Sequence, residues 1–172
     1  MKKILLLGLF ISVTLTSFEH QFKVVANGVT IKFKIYAEDT EGTIGGFQAN
    51  IDFNVNDLAS SKISGSVDAS TINTENKTRD EHIISDEYLN VKKYPQISFE
   101  SNSIVKDEND GNYKMLGKLN LIGVEKEISI IFSFAENVFT AKSYIFLKDF
   151  GFTDWKKREE SKVKVFWKIK VE

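Results

Sequence analysis

The chain has 172 residues with one Pro, 14 Phe and no Cys, long enough for one domain with a sizeable core of its own. The missing cysteines exclude a disulfide framework, a thiol nucleophile and a lipidated N-terminal cysteine. A formal net charge of −1 excludes a chain that is strongly basic or acidic as a whole.

The first residues, MKKILLLGLFISVTLTSF, place two lysines before an apolar run from Ile4 to Leu15, then small hydroxyl residues up to Ser17. The run is shorter than the roughly 20 apolar residues of a spanning helix, so the pattern predicts a signal peptide over 1–17. Cleavage is expected between Thr16 and Glu19, leaving a mature domain over 18–172 in the periplasm or outside the cell. An N-terminal core strand or a retained anchor is the competing reading. Loss of Lys2 and Lys3 leaves 21 basic and 24 acidic residues, 21 − 24 = −3. His20 falls at the expected mature N-terminus.

From Val29 onward apolar residues recur with a period of two, the signature of strands with one buried face. In VTIKFKIYA they are Val29, Ile31, Phe33 and Ile35; in FQANIDFNV, Phe47, Ala49, Ile51, Phe53 and Val55; in KISGSVDA, Ile63, Gly65, Val67 and Ala69. Ile97 and Phe99 follow, then Tyr113, Met115, Gly117, Leu119 and Leu121, then Ile128, Ile130, Phe132 and Phe134. The last strand aligns Val163, Val165, Trp167, Ile169 and Val171. Asn27-Gly28, Asp110-Gly111, Gly123 and Glu136-Asn137 read as tight turns, and Gly45 and Gly46 in GTIGGF as a bend at the start of a strand. Short connections imply antiparallel neighbours. The predicted fold is all-β: a single up-and-down antiparallel barrel of about eight strands, lipocalin-like, in which closure removes exposed edges.

The alternation stops at TRDEHIISDEYLNVKKYPQISF, Thr78 to Phe99. Thr78 and Glu81 fit the capping box of a helix start, Asp80 and Glu81 suit its positive end, and Ile84 and Tyr88 fall four apart on one face. Pro95 stops any continuation. One short helical insertion between two halves of the sheet is expected.

His82, with Asp80, Glu81 and Asp86 near it in sequence, admits two readings: a metal or general-base site, or a structural residue. Only Asp86 is helically paired with it, and no H-E-x-x-H is present. GTIGGF lacks the spacing of a nucleotide loop, and DFGF at Asp149 to Phe152 stands without any other kinase signature. No catalytic constellation, metal site or cofactor motif is assigned. Lysines at every second position of VTIKFKIYA and VKVFWKIKV fill the solvent face of a strand, so nucleic acid is not an expected partner. Inside, large residues alternate with Ala49, Gly65, Ala69, Ser101, Gly117 and Ala141. An eight-stranded barrel of this kind is either filled by its side chains or hollow enough for one ligand, and the pattern leaves both open.

TENKTRDEHIISDEYLNVKKYPQISFESNSI, with its T-x-N-x-x-R-D-x-H, then K-Y-P and F-x-S, resembles the signature of the YceI-like family of periplasmic polyisoprenoid-binding proteins. The likeness extends in family order to GGF, YKMLGKLNLIGVEKEI and KDFGF. Thr74, Asn76, Arg79, Asp80, His82, Tyr94, Pro95, Phe99, Ser101 and Gly117 match, as do Leu119, Leu121, Gly123, Lys126, Phe150 and Gly151. The chain departs at Tyr88-Leu89, where relatives often carry two Phe, and at Ile122, where a His commonly precedes the glycine. The resemblance implies a lipocalin-like barrel binding an isoprenoid or other long-chain lipid without catalysis or cofactor, and transient membrane contact. It leaves the oligomeric state open, a homodimer included. Expected tunnel residues are Phe33, Phe53, Val67, Phe99, Met115, Leu119, Phe132, Phe134 and Trp167, with Arg79, Asp80, His82, Tyr88 and Tyr94 shaping the mouth. The alternatives are an enzyme acting on such a lipid with His82 as base, and a filled structural barrel.

Overall fold

The structure is a computed structural model and describes residues 21–108 and 110–172; the expected signal peptide and His20 lie outside them. A two-residue strand, β1 (Gln21–Phe22), precedes β2 (Val24–Ile35), β3 (Thr40–Asp52) and β4 (Lys62–Asn73). The helix α1 (Lys77–Ile84) leads to β5 (Gln96–Lys106), β6 (Tyr113–Leu121), β7 (Val124–Ala135), β8 (Val138–Phe146) and β9 (Lys162–Val171). From β2 to β9 each strand pairs antiparallel with the next, and β9 pairs with β2, from Val29↔Ile169 to Ile35↔Val163. Eight strands in meander order thus close into a barrel. β1 adds to β3 at Phe22↔Ile51.

Two hairpins follow the sequence reading. Ile122-Gly123 (φ 49° and 78°) joins β6 to β7, and Glu136-Asn137 (51° and 59°) joins β7 to β8, each a two-residue turn whose twist matches its strands. Ile122 is a β-branched residue in the left-handed region, a local strain of about 1–3 kcal/mol offset by its packing among apolar side chains at that end of the barrel. Gly111 (φ 68°) turns the β5–β6 connection.

Other expected turns are bulges. Asn27-Gly28 lies inside β2, where the register with β9 jumps from Val24↔Val171 to Val29↔Ile169 and Asn27 takes φ 62°. Gly45 and Gly46 likewise sit within β3, not at its start. The β3–β4 register shifts there, Gly46 has φ 64°, and a Cβ on it would stand 2.5 Å from Asp68 Cβ. Tolerance of positive φ serves a bulge as well as a turn, so the dipeptide signal alone does not distinguish them. The β3 bulge exchanges inward parity, from Ile44 near one end to Phe47, Ala49 and Ile51 further along.

The helix also begins elsewhere than expected. Asn76, not Thr78, is its N-cap, with the Asn76 side chain accepting from the Arg79 N–H at 3.0 Å. Asparagine caps at least as well as threonine. Glu81 instead faces Lys77 one turn back, at 3.8 Å. Because α1 ends at Ile84, Tyr88 belongs to the following turns and not to a helical face.

The core falls into two parts. At one end Phe22, Phe53, Tyr113, Phe132, Phe134 and Phe139 form an aromatic plug with centroid separations from 4.4 to 5.9 Å, mostly edge-on or tilted as ring quadrupoles favour. At the other end Leu89, Leu121, Phe150, Phe152 and Trp155 pack beside Ala69. The residues between them leave an open interior.

Gly117, expected to make room inside, has another role. It lies beside the β5 bulge between Ser101 and Ser103, where a Cβ would overlap the Glu100 carbonyl oxygen and stand 2.5 Å from Phe99 Cζ. Missing side-chain volume here permits close approach of β5 to β6, not ligand space. Gly117→Ala should therefore lower stability by about 1–3 kcal/mol, as overpacking does, read from thermal or denaturant unfolding. An unchanged midpoint would contradict this placement.

Candidate functional site: a blind apolar cavity with a polar rim

Inward alternation from β2 to β9 builds a cavity of about 290 Å³ between the two core clusters. By the same measure one water needs about 10–15 Å³, so the space is roughly twenty to thirty times that of a single solvent molecule. Of the expected tunnel residues, Phe33, Val67, Phe99, Met115 and Leu119 line it, with Phe132 and Trp167. Phe53 and Phe134 do not. Both belong to the plug that closes the far end, because Phe53 directly follows β3 and Phe134 lies on the part of β7 beyond the open interior.

Sequence reading missed a further set. Ile44 comes from β3 and Glu38 from the β2–β3 turn, while Leu147, Phe152 and Trp155 come from residues 147–161, which join β8 to β9 across the cavity end. That segment has no strand period. Its signal was the aromatic density of DFGFTDW, which needs an apolar surface to cover. Ser143 also lines the cavity: it is 4% exposed, and its Oγ has no hydrogen-bond partner among the described residues. Gly65 leaves a gap in the β4 wall, although a Cβ there would press on Phe47 Cε2 at 3.2 Å.

The mouth is held by the TENKTRD segment. Thr74, directly after β4, is 5% exposed; its backbone N–H and its Oγ1 donate to Asp80 Oδ1 at 2.9 and 2.6 Å. Arg79 Nε donates to Thr74 Oγ1 at 2.8 Å and Nη2 to the Thr74 carbonyl at 2.9 Å, while Nη1 reaches Thr40 Oγ1 at 3.3 Å. One guanidinium thus ties the helix to β4 and to the β2–β3 hairpin. Arg79 also lines the cavity, whereas Asp80 stands behind it as the acceptor that fixes Thr74.

His82 and Tyr88 face the same opening, ring against ring at 4.6 Å. The nearest carboxylate to His82 Nε2 is Glu87 at 3.4 Å, not Asp86, since the chain has left the helix by then. Tyr88 Oη donates to Asp154 Oδ1 at 2.8 Å, joining the α1 side of the mouth to the 147–161 crossing. Tyr94 lies apart from the opening, its ring against Gly123 at the β6–β7 turn. Among the described residues no three His, Cys, Asp or Glu side chains group as a metal ion would need, and no helix is long and apolar enough to cross a membrane. The arrangement can exclude water from an apolar chain and meet a polar group at the rim with Glu38, Arg79, His82 and Tyr88.

A YceI-like domain model matches residues 15–172. The chain belongs to the YceI-like family. Within that family it is similar to the YceI protein of Escherichia coli, 33% identical over 89 residues that cover 52% of this chain and 46% of that one. A Serratia proteamaculans relative is 31% identical over 122 residues, 65% of this chain and 62% of its own length. The chain spans about half the length of most of the curated relatives it matches. Among solved structures it resembles Burkholderia cenocepacia BcnA, with a TM-score of 0.78 at 20% identity over 87% of this chain and 99% of that one. The YCEI protein of Campylobacter jejuni gives 0.63 at 23% identity over 100% and 99%. A polyisoprenoid-binding domain from Saccharophagus degradans gives 0.57 at 13% over 88% and 97%. At these identities the likenesses establish the family's closed antiparallel barrel.

Two measurements test the rim. Asp80→Ala should cost about 1–3 kcal/mol by leaving the buried Thr74 N–H without its acceptor, with Asp80→Asn costing less, read as a shift in denaturant midpoint at constant slope. The hydrogen bond to Asp154, then burial, then the charges of Asp154, Glu38 and Glu87 push the Tyr88 phenol from 10.0 up to about 12. Between these values the folded state keeps a proton that the unfolded state releases. The associated stability is therefore whole below pH 10 and lost as pH rises through 12. Ultraviolet titration should show a late tyrosine component that Tyr88→Phe removes.

Proposed function

We propose that the barrel binds a polyisoprenoid or related long-chain amphiphile non-covalently, tail inward and head at the rim, and carries out no chemistry on it. One observation carries this reading: apart from the Ser143 hydroxyl the cavity is lined by apolar side chains along its walls, closed by aromatic rings at one end and polar at the other. Each buried methylene contributes about 0.8 kcal/mol before ordering costs, so a long tail is retained without an ion pair. The unpartnered Ser143 hydroxyl offers one hydrogen bond to a polar group along the bound chain. The open interior speaks against a filled structural barrel. The name of the Saccharophagus degradans domain, polyisoprenoid-binding, points the same way. Among the described residues His82 engages the carboxylate of Glu87 and the ring of Tyr88, contacts that favour a shaping role over that of a base. We place the protein in the cell envelope, reached after removal of residues 1–17.

Protein purified from the host envelope, extracted with organic solvent and examined by mass spectrometry, should yield a long-chain lipid and a chain beginning near Phe18 to Gln21. Val67→Trp, which puts a ring into the cavity, should keep the far-ultraviolet circular dichroism of the wild type and retain several-fold less lipid in native mass spectra. Wild-type protein free of lipid, or lipid chemically altered by wild type but not by His82→Ala, would refute the reading.

A further inference from the structure

Taken one strand at a time, the lysines of this chain are ordinary solvent-facing residues. Folding brings them together. β2 and β9 are hydrogen-bonded neighbours and β8 lies on the other side of β9, so Lys32 stands opposite Phe166, which stands opposite Lys142; Lys34 is likewise opposite Lys164, and Lys164 opposite Tyr144. Lys162, Lys168 and Lys170 extend the same outer face. The three strands contain no Asp or Glu at all. Of these seven lysines only Lys34 forms an ion pair among the described residues, with Asp39 at 2.8 Å and Glu41 at 3.0 Å. With a chain net charge of −1, everything outside this wall carries −1 − 7 = −8. The molecule is charge-polarised, one wall basic and the remainder acidic.

Aromatic groups mark the mouth end of the same wall. Tyr36 and Tyr144 are 46% and 44% exposed, and the Lys162 ammonium lies between them, 5.8 and 4.1 Å from their ring centroids. Beside them the Arg158 guanidinium covers the Phe146 ring at 3.6 Å and is held there by two hydrogen bonds to Asp149. Tyrosine and long cationic side chains together suit the headgroup layer of a bilayer, where ring and stem meet apolar matter and the polar tip stays wet.

We propose that the outer wall of β2, β9 and β8 is a docking surface for anionic phospholipid bilayers, which presents the cavity mouth to the membrane from which its ligand comes. The choice of a membrane over another polyanion rests on the lipid-binding reading above and on the shape of the patch. A barrel wall is broad and convex, without a groove to follow a single nucleic-acid strand, and its exposed tyrosines lie at the end where the cavity opens. Anionic headgroups attract the basic wall while repelling the acidic remainder, so charge alone sets the orientation of approach.

The test is co-sedimentation with vesicles of phosphatidylcholine alone and of phosphatidylcholine with one-third phosphatidylglycerol. Wild-type protein should bind the anionic vesicles preferentially and lose that binding as salt is raised. A juxtamembrane lysine contributes roughly a fivefold factor, so the triple variant Lys32→Gln, Lys142→Gln, Lys168→Gln should bind on the order of a hundredfold more weakly. All three residues are exposed, and circular dichroism should be unchanged. A control pair on β4 and β6, Lys62→Gln with Lys114→Gln, should bind as wild type. Equal binding to both vesicle types, unaltered binding by the triple variant, or an oligonucleotide that binds more tightly than the vesicles and is released by the same substitutions would overturn the proposal. Lipid retained per protein separates the two readings. Vesicle binding by a protein that never carries lipid supports the docking surface and removes the cavity function; a lipid-loaded protein indifferent to vesicle charge overturns the docking surface alone.

Discussion

The β2–β9 ladder is the interaction on which the rest depends. Without it the meander would be an open sheet with two long edges, each offering unpaired backbone groups to another chain. With it, every inward side chain between Val29 and Val171 faces one shared space, and the contents of that space are set by residue size alone. The plug end is filled because phenylalanines from β1, β7 and β8 converge there with Phe53, the residue directly after β3. The middle is open because Val67, Ala141 and Ser143 stand where larger residues would be needed to meet across the barrel. The cavity is therefore a direct outcome of closure, with no separate structural device behind it.

Closure also explains why the mouth needs a clamp. A barrel end without cover would expose Ile35, Ile72, Ile97 and Leu121 to water; α1, the turns that follow it and residues 147–161 lie over them instead. A helix of eight residues whose own residues are nowhere fully buried cannot hold itself in place. It is fixed by polar contacts to the barrel rim: Asp80 and Arg79 on Thr74, and Arg79 on Thr40. The residues that mark the family in sequence thus first serve to fasten one side of the opening. The other side is fastened by Tyr88 to Asp154, while the pair of Arg158 and Asp149 braces the 147–161 crossing internally. The hydrogen bonds to Arg158 hold the Asp149 carboxyl below the usual carboxylate range.

The strands were legible because a period of two with one buried face leaves little freedom of assignment, and seven of the nine expected tunnel residues line the cavity for the same reason. Phe53 and Phe134 have the right parity but the wrong height: alternation tells which face a residue is on, not how far along the barrel axis it lies. Asn27-Gly28 and Gly45-Gly46 were misplaced because positive φ is a local property shared by turns and bulges. The crossing at 147–161 has no period to read, and its contribution through Phe152 and Trp155 depends on contacts between segments remote in sequence. The basic wall was invisible for a related reason, since each lysine-bearing strand is unremarkable until β2 and β9 are placed side by side.

An apolar wall discriminates poorly among tails, because burial rewards area and not identity. Length is another matter. Each added methylene continues to stabilise the bound state only while unoccupied depth remains, and that depth ends at the rings of Phe132 and Phe139, which line the cavity and are braced from behind by Phe53. Beyond that point further carbons must stay at the mouth or displace packed aromatics. The rim sets a second limit, because a head group drawn inward past Arg79 and Tyr88 would have to surrender its water for a largely apolar wall that offers the unpartnered Ser143 hydroxyl. Floor and rim together thus act as a ruler: affinity should rise with chain length to a plateau fixed by the plug, while the chemistry of the head governs only what happens at the opening.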